Sequence, residues 1–219
     1  ASPQFSNLKL LALPEKLKIG KTSIKQIAAA CPHLETFDTG YSCHIISPKA
    51  KDEDLIEAAK RFANLTSVRT DMWNVTNFGI TSVAEAMGAQ LLDFRVRGDT
   101  ITNHYLSNGA LDVIAASCTS LKHFSYKLGG FYYDRRRDGV CGEGVIALVR
   151  GCRRLEVLEL ERALNVGKDA FVTIANMVAQ DDDDGGSVNG EFALRKIAVR
   201  GYPFVISDYP FRVEGIQDP

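Results

Sequence analysis

Three short strings and four histidines are where this sequence comes nearest to chemistry. Gly20-Lys21-Thr22 is the closing triplet of a phosphate-binding loop, but Glu15 stands where that motif needs its first glycine. Gly142-Glu143-Gly144-Val145-Ile146-Ala147 mimics the glycine fingerprint of a dinucleotide fold, yet no strand runs directly into it. It reads as a helix entry instead. Asp181 to Asp184 lacks the alternating ligands and closing glutamate of a calcium loop and reads as a solvated charge run. His33, His44, His104 and His123 are scattered, and none stands at a metal-ligand spacing from a cysteine. No nucleophile elbow occurs, and local sequence suggests no paired carboxylates. The expectation is therefore a protein that is not an enzyme, with no catalytic residues, cofactor or metal. What remains is a set of charged and aromatic side chains that acquire meaning only on a frame.

The frame is a repeat. Cys152-Arg-Arg-Leu155-Glu-Val-Leu158-Glu-Leu160 reads C-x-x-L-x-x-L-x-L, and Cys118 to Tyr126 and Cys31 to Thr39 repeat it. Without the cysteine it recurs at Leu8/Leu11/Leu13, Leu65/Val68/Thr70, Leu91/Phe94/Val96 and Leu194/Ile197/Val199. Anchor leucines at 8, 34, 65, 91, 121, 155 and 194 are spaced by 26, 31, 26, 30, 34 and 39 residues. That is a leucine-rich repeat of the cysteine-containing class, with a strand and a full α-helix in each unit. About seven such units predict an α/β solenoid of the ribonuclease-inhibitor kind, with a parallel concave sheet and convex helices.

Helix signals follow each strand. Ile24 and Ile27 share a face; Asp52, Glu53 and Asp54 open the next helix; Ser82 and Glu85 read as a capping box for a helix through Met87. Gly109, Gly144 and Asp169 precede three more. The whole chain, 1–219, is expected to be one domain, with 202–219 an irregular tail or a cap. Asp181 to Gly186 is expected to be a flexible acidic loop.

Strand alternation then sorts the charges. If Leu158 and Leu160 face the core, Val157, Glu159 and Glu161 face the concave side. The same offsets place Thr36 and Asp38, Arg69 and Asp71, Asp93, Arg95 and Arg97, His123, Ser125 and Lys127, and Lys196 and Arg200 there. The candidate partner-binding residues are Arg69, Asp71, Asp93, Arg95, Arg97, His123, Lys127 and Arg200. Recognition is expected to centre on the third to fifth repeats, where crowded cations repel one another and Asp71 and Asp93 relieve only part of it. A second candidate surface is the insertion carrying Phe131, Tyr132, Tyr133, Arg135, Arg136 and Arg137, too apolar to hang free and too charged to bury unpaired.

Composition bounds the partners. The 219 residues carry a formal charge of -1, so no global positive field recruits nucleic acid or a membrane. No apolar run approaches the roughly 20 residues of a spanning helix. Cys31, Cys118 and Cys152 occupy one repeat position and are expected to stack as buried thiols, which predicts a cytoplasmic or nuclear setting. The two N-x-T sequons, at Asn64 and Asn74, are short enough to be accidental. The chain enters its first repeat by Leu8, leaving no room for a cap, so another chain is expected to cover that repeat.

These repeats resemble those of F-box/leucine-rich-repeat proteins, particularly the plant-type auxin and jasmonate co-receptors. Leu91-Leu-Asp-Phe-Arg-Val96, the later Leu106-Ser-Asn-Gly-Ala-Leu111, and Leu194-Arg-Lys-Ile-Ala-Val-Arg-Gly-Tyr-Pro-Phe204 are similar to stretches of that family. No F-box is present: Leu13-Pro14-Glu15 resembles its opening but lies inside the first repeat. The resemblance implies a recognition arm or a subunit of a larger complex. Alternatively, it implies a polyanion receptor in which Arg95 and Arg200 help hold an inositol polyphosphate on the concave face.

Overall fold

In a computed structural model the described residues are 5–13, 19–39, 51–72, 75–99, 106–129, 140–161, 165–183, 192–200 and 212–214. Strands and helices alternate: β1 (Leu10–Ala12), α1 (Lys21–Ala30), β2 (Thr36–Asp38), α2 (Asp52–Arg61), β3 (Ser67–Asp71), α3 (Asn77–Met87), β4 (Asp93–Asp99), α4 (Asn108–Ser117). The alternation continues with β5 (His123–Gly129), α5 (Gly142–Gly151), β6 (Val157–Glu161), α6 (Lys168–Asp183) and β7 (Lys196–Arg200), and β8 (Arg212–Glu214) closes the order. All eight strands form one parallel sheet in chain order, and the helices pack on one another in the same order. This is the leucine-rich-repeat-like solenoid that the spacing predicts. The tail read as irregular or capping contributes β8, parallel to β7.

The core is laid down by register. Phe37, Val68, Phe94, Phe124, Leu158 and Ile197 are consecutive Cα partners across β2 to β7, and all are buried. The anchors Leu34, Leu65, Leu91, Leu121, Leu155 and Leu194 are buried beneath them. Burial alternates along β6 as the pattern requires, with Leu158 and Leu160 inside. Tyr126, at the last repeat position of β5, is also fully buried.

Cys31, Cys118 and Cys152 are free thiols, each in the cap position that ends its helix, and each is buried. Cys152 Sγ lies 3.4 Å from the Cys118 carbonyl oxygen, and Cys118 Sγ lies 3.6 Å from that of Ala84. The side chain thus turns back on the helix end of the repeat before it. Burial pushes both thiols up to about 12, so neither is a thiolate at neutral pH.

Two local readings are corrected. Helix α3 begins five residues before Ser82: Thr76 is its N-cap and accepts from the Phe78 N–H at 3.2 Å, leaving Ser82 and Glu85 mid-helix. Asp181 to Asp183 are not loop but the end of α6.

At the other helix ends, an Asp or Asn in the first helical position reaches forward to the next repeat. Asp52 accepts from the Thr76 N–H and hydroxyl, both at 2.7 Å. Asn77 accepts from Ser107 N–H at 3.0 Å, and Asn108 from Cys141 N–H at 2.9 Å. The N–H groups at a helix start have no partner within the helix, and this ladder supplies one across repeats. Gly79 and Gly144 make room for it: a Cβ on either would strike the Asp52 carboxylate or the Asn108 carboxamide.

Candidate functional site

The concave face is a three-row lattice fixed by strand register. Rows run across the sheet, so side chains on one row belong to successive repeats and stand about 4.8 Å apart at the backbone. The lowest row carries Thr36, Ser67, Asp93, His123, Val157 and Lys196. The middle row carries Asp38, Arg69, Arg95, Ser125, Glu159 and Ala198. The upper row carries Asp71, Arg97, Lys127, Glu161 and Arg200. Arg69, Asp71, Asp93, Arg95, Arg97, His123 and Lys127 are therefore brought onto one surface. Arg200 occupies the register position beside Glu161. The insertion residues Phe131, Tyr132, Tyr133, Arg135, Arg136 and Arg137 lie outside the described residues.

Asp93 is the hub of the lower rows. It accepts from Arg95 Nε at 3.0 Å and from the Ser67 hydroxyl at 3.0 Å. Arg69 Nη2 stands 3.6 Å from it, and Arg69 Nη1 4.0 Å from Asp38. Ser67 was absent from the candidate set although it lies two residues before Arg69 on the same face; a buried serine carries no signal until its partner is known.

His123 continues the lattice toward β6. Arg95 Nη2 is 3.2 Å from its Nδ1, and a guanidinium can only donate, so Nδ1 accepts and the ring proton sits on Nε2. Nε2 stands 3.3 Å from Glu159 Oε2. Above it, Lys127 Nζ lies 3.8 Å from Glu161. The cations are thus interleaved with carboxylates from four strands. The expectation of crowded, mutually repelling cations is corrected: Asp38 and Asp93 meet Arg69 and Arg95, and Glu161 meets Lys127.

Glu159 reports this environment. The hydrogen bond from His123 first, and then the charge of Lys127 and the Ser125 hydroxyl, hold its carboxyl down to about 2 against the opposing effect of burial. A carboxyl whose folded pKa is depressed adds stability above its ordinary value of 4.5, and that contribution disappears as pH falls through the folded value. Glu159 should therefore remain ionised through the window from 4.5 down to about 2. In His123→Ala its titration, followed by carboxyl carbon NMR, should move back up toward the ordinary value. An unmoved titration would remove His123 from the lattice.

A cleft of about 230 Å³ opens over the middle strands, walled by Arg69, Arg95, Arg97 and Lys127, with Asp38 and Asp71 at one end and Ser125 on its floor. Ser125 has only 1% of its surface exposed, although it lies on the concave side. A short side chain between Arg95 and Glu159 is what creates the depression. A smaller notch adjoins it where β7 offers only Ala198 beside Glu159 and Glu161.

The other strings resolve structurally. Gly20 is the N-cap of α1, and Lys21 pairs with Glu53 at 3.4 Å. Gly142 opens α5, where a Cβ would meet that of Ala170 at 2.9 Å, so close packing accounts for a glycine there. Among the described residues, no helix is long and apolar enough to cross a membrane.

The fold and its charged inner face define a leucine-rich-repeat-like α/β solenoid. No protein-family model matches the sequence, and no curated protein does. Among solved structures, the chain is similar to one described as the crystal structure of the Rad7 and Elc1 complex in yeast, at 14% identity and a TM-score of 0.38. The match covers 90% of this chain and 57% of that one, so the chain spans little more than half the length of its neighbour.

Proposed function

We propose that this chain is a non-enzymatic protein-recognition module whose partner docks on the concave face of β3, β4 and β5. The observation that carries it is the cleft between Arg69, Arg95, Arg97 and Lys127, built by in-register side chains and floored by a short serine. Arginine's planar fork suits a carboxylate, and fixed neighbours hold these forks in place before any partner arrives. The carboxylates interleaved with them favour a protein partner over the polyanion alternative, whose phosphates Asp38 and Asp71 would repel. The exposed first repeat, where Leu10 is 52% exposed, suits a second contact with a partner chain. The buried thiols fit a reducing compartment, cytoplasmic or nuclear.

The test uses Arg97→Glu with Lys127→Glu, which leaves Arg95 and Asp93 in place. A chain that co-purifies with the wild-type protein from its native source should bind the double variant about tenfold more weakly or worse, with unchanged circular dichroism. If affinity holds in the folded variant, recognition lies off this face.

A further inference from the structure

The upper row carries more information than the presence of a cationic cleft. Across β3, β4, β5 and β6 it reads Asp71, Arg97, Lys127, Glu161: negative, positive, positive, negative. Each end of that series is reinforced from the row below, where Asp38 joins Asp71 on the wall of the cleft and Glu159 joins Glu161 beside the Ala198 notch. A surface of this kind rejects a uniform polyanion at both ends and a uniform polycation in the middle. It accepts a sequence of alternating sign.

Distance selects the sequence. Three strand spacings of about 4.8 Å separate the Asp71 and Glu161 positions by about 14 Å. An extended peptide rises about 3.4 Å per residue, so its residues i and i+4 lie about 14 Å apart and point to the same side. Residue i+2 then falls about 7 Å along, midway between the Arg97 and Lys127 positions. We infer that the concave face recognises an extended partner segment of the pattern basic-x-acidic-x-basic, crossing the strands with its acid between Arg97 and Lys127. The two basic residues then meet Asp71 at one end and Glu161 with Glu159 at the other. The pattern is palindromic in charge, so either chain direction satisfies it. This rests on the concave-face reading above and adds the identity of the recognised element.

The probes are two capped peptides of equal composition and charge, Gly-Lys-Ala-Glu-Ala-Lys-Gly and Gly-Lys-Ala-Lys-Ala-Glu-Gly, with inorganic tripolyphosphate as a third. Binding to the full chain is followed at low ionic strength by backbone NMR shifts, which register millimolar affinities. The first peptide should bind at least about fivefold tighter than the permuted one, with shifts concentrated on β3 to β6. In Glu161→Lys the preference should reverse toward Gly-Lys-Ala-Glu-Ala-Glu-Gly. Equal binding of the two peptides, no binding of either up to millimolar concentration, or tighter binding of tripolyphosphate would each overturn the inference. If order proves indifferent while Arg97→Glu with Lys127→Glu still abolishes binding of the co-purifying chain, the concave reading stands and only the pattern falls.

Discussion

Gly151→Ala should destabilise the protein by on the order of 2–3 kcal/mol, while Gly109→Ala should stabilise it by about 0.4–1 kcal/mol. Both glycines lie in helices, where alanine is ordinarily the better residue. They differ in what a methyl group would meet. At Gly151 it would lie 2.5 Å from the Ala115 carbonyl oxygen and 2.7 Å from the Ala115 Cβ, so α4 and α5 would have to move apart. Backbone on a neighbouring helix cannot swing aside as a flexible side chain does. At Gly109 the nearest atom is the Ser107 hydroxyl oxygen at 3.9 Å, and only the reduced freedom of the unfolded chain is felt. Gly79→Ala and Gly144→Ala should fall between these extremes, because Asp52 and Asn108 can rotate away but then desert the N–H groups they serve. Urea midpoints of the four variants test the order. A stabilised Gly151→Ala would mean that this contact does not set the spacing between repeats.

Asp93→Ala is the second large effect, expected to cost about 2–3 kcal/mol. The Asp93 side chain is 19% exposed and serves Arg95 and Ser67 directly, with Arg69 at ion-pair distance. Arg69 and Arg95 are Cα partners on adjacent strands, so removing Asp93 sets two guanidinium groups against each other without their shared counter-charge. Adding Arg69→Met to Asp93→Ala should recover part of the loss, since the uncompensated charge would be gone. Additivity of the two substitutions in a double-mutant cycle would show that the lattice is a set of independent contacts rather than one coupled unit.

The frame was legible in the sequence because the anchor leucines and the strand alternation obey periods that burial imposes. The same alternation placed Glu159, Lys127 and the arginines on the inner face before any contact was known. Which charges pair was not legible, because Asp38, Arg69 and Asp93 meet only through the register of three separate strands. The start of α3 was misread for a related reason. Gly79 looks like a break in a helix, but it is there to admit the Asp52 side chain from the repeat before. That ladder did leave a trace: Asp52, Asn77 and Asn108 precede the anchors Leu65, Leu91 and Leu121 by 13, 14 and 13 residues. A polar residue at constant distance from a leucine anchor is readable once its task is known. The continuation of α6 through Asp183 left no such trace, since an acidic run reads alike in a loop and at the end of a helix.

The in-order sheet also decides how the molecule comes apart. Each strand pairs with its neighbours in the chain, so no contact in the sheet joins distant parts of the sequence. Cooperativity is then a property of adjacent units, passed along a line like the coupling between neighbouring spins, rather than of one core that melts as a whole. A unit at either edge of the described sheet has one neighbour to hold it, and a unit in the middle has two. Local opening therefore begins at the edges and advances inward, and the strands that carry the Asp93 lattice are among the last it reaches.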